Sequence, residues 1–118
     1  MLTTVLVAED EPTIAMAVID VLGEAGFFTV GPFATTAQAL AYCRKHTPDC
    51  AVLDVRLEDG ESFPLADFLA ERDVPVVFHS GHAAPRELTQ RYPGVRVCPK
   101  PAPPSQLVAI VAELSPRA

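Results

Sequence analysis

No apolar run in this 118-residue chain approaches the roughly 20 residues that cross a bilayer, so no segment reads as a membrane span. The N-terminus "MLTTVLVAEDE" lacks a basic segment and turns acidic after a short apolar run, which does not resemble a signal peptide. Positive charge is also scarce: 9 Lys and Arg against 15 Asp and Glu give a net charge of −6, and the basic residues are scattered. A nucleic-acid surface announces itself as a basic patch, so that class is not expected. The three cysteines, Cys43, Cys50 and Cys98, are odd in number and lack metal-ligand spacing. Each lies in or beside an apolar stretch and reads as a small buried hydrophobe, consistent with a reducing, cytoplasmic location. Neither a P-loop nor a G-x-G-x-x-G motif occurs, so a nucleotide site has no support.

What the chain does have is a 49% hydrophobic, 20% charged composition, enough for one globular domain over residues 1–118. Its elements alternate. Residues 3–10 read as a buried strand, and 11–26 as a helix with Ile14, Val18, Val21, Leu22 and Ala25 at helical spacing. Pro12 suits its first turn and Gly26 its end. A strand at 27–33 closes at Gly31-Pro32, and a helix at 35–46 can be capped by Thr35 or Thr36. Another apolar strand, 50–55, leads into the polar loop "RLEDGES" and a helix at 63–73 with Phe63, Ala66, Leu69 and Ala70 in phase. A strand at 74–80 and another ending in 96–101 flank a weak helical segment confined between Pro85 and Pro93. The last helix, 103–115, turns Leu107, Val108, Val111 and Leu114 inward. Five apolar strands alternating with helices predict a doubly wound parallel α/β sheet, helices on both faces, with a short or mobile fourth helix.

In such sheets ligands bind at the carboxyl ends of the strands. Strand one ends in Glu9-Asp10-Glu11, strand three in Asp54, strand four in His79-Ser80, and strand five near Lys100. Taken alone, the three acids after strand one are a helix N-terminus exploiting the dipole. Ser80 alone is a turn residue, Lys100 alone a solvated charge. Asp54 is harder to dismiss, because an acid closing a buried strand needs a partner. Converging carboxylates repel unless a cation offsets them, and all-oxygen ligands suit Mg²⁺. An aspartate can serve as nucleophile in phosphoryl transfer, forming an acyl phosphate.

On these residues the chain resembles the receiver domains of two-component response regulators. The resemblance rests on "VLVAEDE", "AVLDVRLEDG", "VVFHSGH" and "CPKPAP" and covers essentially the whole chain. It implies a flavodoxin-like sheet of strand order 2-1-3-4-5, with Asp54 as phosphoacceptor. Asp10 and Asp54 would bind Mg²⁺, with Glu9 helping and the Arg56 backbone carbonyl supplying another oxygen. Ser80 and Lys100 would read the phosphoryl group, and the Lys100–Pro101 bond would be cis. The donor would be a phosphohistidine on a sensor histidine kinase or a histidine phosphotransfer protein, and the output contact with a downstream protein. Neither nucleic acid nor membrane is an expected partner.

The family's pattern is not complete here. Many receivers carry a switching aromatic three residues before the lysine, where this chain has Val97. "FHSG" resembles in part the Phe-Ala-Thr-Gly-like motif of a stand-alone subgroup that works with kinases of the HWE and related classes. "ELSPRA" reads as an ending. Arg56 and His82, two places after Asp54 and Ser80, stand where such proteins tune dephosphorylation; each either reaches over the site or is a solvated loop residue. A haloacid-dehalogenase-like phosphatase would need an acid where Arg56 stands, and arginine cannot act as one. A degenerate receiver acting as a phosphorylation-independent binding module is the other alternative.

Overall fold

In the computed structural model, residues 2–81, 85–100 and 103–115 are described. Strands β1 (Thr4–Ala8), β2 (Phe28–Phe33), β3 (Cys50–Leu53), β6 (Val76–Ser80) and β7 (Arg96–Pro99) form one sheet in the order β2-β1-β3-β6-β7. Every pairing within it is parallel. The two remaining strands, β4 (Arg56–Leu57) and β5 (Gly60–Glu61), make a small antiparallel hairpin. Leaving that hairpin out, the order is the expected 2-1-3-4-5.

Side-chain alternation along the strands sorts the helices onto two faces. Val5 and Val7 of β1, with Cys50 and Val52 of β3, point to α1 (Pro12–Glu24) and α5 (Pro104–Leu114). Leu6 and Ala8, with Ala51 and Leu53, point the other way, to α2 (Thr36–Cys43), α3 (Phe63–Glu71) and α4 (Pro85–Arg91). All eight of these strand residues are buried, which is why the strands read as continuous apolar runs. All three cysteines are free and buried, as their apolar settings implied; burial pushes the Cys50 thiol up to about 12. Among the described residues, no helix is long and apolar enough to cross a membrane.

Some elements depart from the sequence reading. Gly31-Pro32 does not close the second strand: β2 runs through it to Phe33, with a register shift opposite Leu6–Ala8 and a cis Gly31–Pro32 bond. The edge position of β2 is what tolerates proline inside a strand. The expected cis Lys100–Pro101 bond lies outside the described residues. The "RLEDGES" loop is the β4–β5 hairpin, and it is not wholly polar, since Leu57 is buried. Helix faces are rotated slightly from the reading: α1 buries Ala15 with Val18 and Leu22, while Ala25 is exposed. In α3, Leu65 is buried and Ala70 exposed; in α5, Ile110 is buried beside Leu107 and Val111, and Val108 and Leu114 only partly so. Helix α4 is short, with Leu88 buried against the core.

The hairpin is pinned to the start of α2. Thr35 caps the helix by accepting from the Gln38 amide at 3.0 Å. Asp59, in the hairpin turn, accepts from the Thr36 amide at 2.8 Å and the Ala37 amide at 3.0 Å. Those two amide bonds hold the Asp59 carboxyl below its ordinary value of 3.8. A carboxylate with a lowered native pKa stabilises fully above its unfolded value and loses that contribution as pH falls. Wild type is therefore expected to be more stable than Asp59→Ala above pH 3.8, with the gap closing as pH falls through and below that value. Urea unfolding of both proteins across an acid series checks it; a gap independent of pH would refute the assignment.

Candidate functional site

Because the strands are parallel, their carboxyl ends share one rim, and the sheet's hydrogen bonding continues one residue beyond several of them. The Asp54 amide donates to Ala8 O at 2.9 Å, the Glu9 amide to Phe33 O at 3.0 Å, and the Lys100 amide to Ser80 O at 3.2 Å. Each of these side chains is thus placed by backbone bonds to a neighbouring strand. The β2 irregularity matters here, since Phe33, the residue after Pro32, is the one that anchors Glu9.

Carboxylate oxygens of Glu9, Asp10 and Asp54 lie within 4.8 Å of one another. Two unit charges at that spacing repel by roughly 3 kcal/mol at an effective dielectric of about 20. Glu9 and Asp54 are 4% and 5% exposed, so water screens the repulsion poorly. The Lys100 ammonium answers part of it, donating to Glu9 Oε1 at 2.6 Å and to Asp54 Oδ2 at 2.9 Å. Burial pushes the Glu9 carboxyl above its usual range, and the Asp54 charge adds to that, against the bonds from Lys100 and the Glu11 amide. Burial also disfavours the Lys100 ammonium, but its bonds to Glu9 and Asp54 outweigh that and its pKa is raised. Both shifts run upward but mean different things: burial above all disfavours the Glu9 anion, whereas two carboxylates favour the Lys100 cation. The ammonium is firmly held. The acidic group is left short of positive charge.

Glu11 takes the structural role that all three acids could have taken. It caps α1, its side chain accepting from the Thr13 amide at 3.4 Å. Ser80, 4% exposed, sits at the end of β6 on the same rim. His79, on the alternate face, is paired with Cys98 of β7, and burial with the nearby Lys100 charge lowers its pKa. Arg56 is exposed, and its amide approaches Asp54 Oδ1 at 3.4 Å. His82 lies outside the described residues. Ser62 was not singled out from the sequence, yet it is fully buried and donates from Oγ to Asp54 O at 2.6 Å, fixing the turn that carries the acid. Only a serine just before "FP" marks it in the sequence, a pattern with no chemistry of its own.

An acid triad, a lysine across two of its members and a buried hydroxyl, all on the carboxyl rim of a 2-1-3-4-5 sheet, agree with the pattern seen in the sequence. Residues 5–112 match the family model of the response regulator receiver domain. The chain belongs to that family. As a receiver domain it is a regulatory module of the kind used in two-component systems. It is similar to SdrG from Sphingomonas melonis Fr1, whose solution structure is 38% identical with a TM-score of 0.81 over 96% of each chain. The receiver domain of PhyR from Erythrobacter litoralis is 30% identical, with a TM-score of 0.84 over 99% of this chain and 96% of that one. The transcriptional regulatory protein PdtaR of Mycobacterium tuberculosis is 28% identical over 87 residues, 74% of this chain and 42% of that protein. The chain therefore spans less than half the length of the curated relatives it matches.

Proposed function

We propose that this receiver domain accepts a phosphoryl group on Asp54 from a phosphohistidine of a sensor histidine kinase or histidine phosphotransfer protein in the cytoplasm. The observation that carries this reading is the Lys100 ammonium bridging Glu9 and Asp54 at 2.6 and 2.9 Å on a rim that also holds Asp10 and Ser80. An Asp54 oxygen attacks phosphorus, the P–N bond breaks, and the electron pair leaves on the donor imidazole. Lys100 then pairs with a phosphoryl oxygen, and the Ser80 hydroxyl turns toward the same group. The charge added at Asp54 biases the surface presented to a downstream protein.

The donor set fits Mg²⁺. Its side chains offer only hard carboxylate oxygens, and three negative charges stand against one ammonium, leaving a deficit of two. Glu9, Asp10 and Asp54 would hold the ion, with the Arg56 backbone carbonyl as a further oxygen. When bound, it would offset charge between the carboxylate and the incoming phosphoryl oxygens. A phosphatase role lacks its general acid, because Arg56 stands where that acid is needed and its side chain is exposed.

Intact mass after incubation with acetyl phosphate, with and without Mg²⁺, tests the reading. One phosphoryl adduct that requires Mg²⁺ is expected. No adduct in either condition would overturn phosphotransfer and leave a phosphorylation-independent binding module.

A further inference from the structure

Helix α4 spans only Pro85–Arg91, yet its C-terminal end is tied to α3 at several points. Tyr92, just past the helix, packs its ring against Phe78 of β6 at 5.7 Å and Phe63 of α3 at 6.0 Å. Its hydroxyl donates to Asp67 Oδ1 of α3 at 2.7 Å and accepts from Arg91 Nε at 3.1 Å. The Arg91 guanidinium lies 4.3 Å from the Phe63 ring centroid and 3.7 Å from Asp67 Oδ2.

Two short routes lead from this cluster to the acidic rim. Phe63 follows Ser62, whose hydroxyl holds the Asp54 carbonyl. Phe78 lies two residues before Ser80 on the same strand, and its β7 neighbour is the small Val97. Tyr92 and Val97 pack against one core cluster, so the bulky aromatic beside Phe78 comes from the end of α4 rather than from β7. A group joined to α3 by a hydrogen bond and to β6 by ring contact responds to movement of either.

We propose that the Tyr92–Asp67 bond is a latch between α4 and α3 that opens when Asp54 is phosphorylated, making Tyr92 the positioning residue that carries the site's state to α4. The inference rests on the phosphoacceptor reading above. Opening moves the Tyr92 phenol from the Asp67 carboxylate to water. By linkage, a variant without the latch favours the open arrangement, so it accepts phosphoryl more readily. Tyr92→Phe keeps the ring contacts and removes only the hydroxyl.

The chain has 2 tyrosines and no tryptophan, so in Tyr42→Phe protein the tyrosine emission comes from Tyr92 alone. A carboxylate hydrogen-bonded to a phenol quenches its fluorescence. Phosphorylation with acetyl phosphate and Mg²⁺, followed by intact mass on the same sample, is therefore expected to raise Tyr92 emission in step with the adduct. In the wild-type background, Tyr92→Phe and Asp67→Ala should each speed adduct formation by about two- to tenfold, the range of one modest hydrogen bond. A stoichiometric adduct with unchanged emission, or Tyr92→Phe labelling at the wild-type rate, would overturn the latch while leaving the phosphoacceptor intact. Absence of any adduct on wild type would instead remove the phosphoacceptor reading, and the latch with it.

Discussion

Asp54→Asn is expected to fold and to take up no phosphoryl group at all. The loss of labelling follows from chemistry: an amide oxygen is too weak a nucleophile to displace the donor, and no second acid on the rim is equivalently placed. Glu9 is 4% exposed and bridged by Lys100, and Asp10 precedes Glu11, the α1 cap. The fold survives for an electrostatic reason. The substitution removes the Asp54–Lys100 ion pair, but it also removes repulsion from carboxylates within 4.8 Å. Lys100 keeps Glu9 at 2.6 Å, so no buried charge is left alone. The two effects oppose each other, and the net loss of stability is expected to fall well short of the roughly 3–5 kcal/mol seen when a buried charge is left uncompensated. Intact mass and urea unfolding read the two halves separately. An adduct on the variant would refute Asp54 as acceptor; an unfolded variant would show that the Lys100 pair outweighs the repulsion.

Gly31→Ala should have the largest effect on stability. Gly31 has φ of +114°, a conformation L-residues rarely adopt, and a Cβ there would lie 2.5 Å from Val7 O. That oxygen belongs to β1, an interior strand paired on both sides, and cannot retreat without disturbing the sheet. Strain and clash together are expected to cost about 3 kcal/mol or more, a fall in Tm on the order of 10 °C for a domain of this size. The consequence reaches the rim, because Phe33 O, two residues on, accepts from the Glu9 amide at 3.0 Å. Loss of stability should therefore come with slower labelling of whatever fraction remains folded. A urea midpoint within experimental error of wild type would show that the edge strand can re-route around the methyl group.

These two residues illustrate where the sequence was readable. Asp54 stood out because an apolar run ended in acid, and listing whatever polar group stands at the carboxyl end of each strand collected Glu9, Asp10, Ser80 and Lys100. Their shared rim followed from parallel topology, which the continuous apolar strands already implied. Gly31-Pro32 was misread as a strand end, because local chemistry favours a turn there and only an edge position in the folded sheet permits otherwise. The hairpin over "RLEDGES" was missed for a similar reason: two-residue strands have no periodicity to detect, and Asp59 finds its partners on α2, more than 20 residues earlier in the chain.

By itself, then, the sequence determined the fold class and the members of the acidic site, since both are written in short-range patterns: burial period, strand length, and the residue type closing each strand. Tertiary structure decided the division of labour among those members. It made Glu11 a cap and Glu9 a buried carboxylate, and it set one lysine across two acids. It also supplied Ser62 beneath Asp54 and Tyr92 against Phe78 and Asp67. Such pairings join residues far apart in the chain, through distances of a few ångströms that no local pattern encodes.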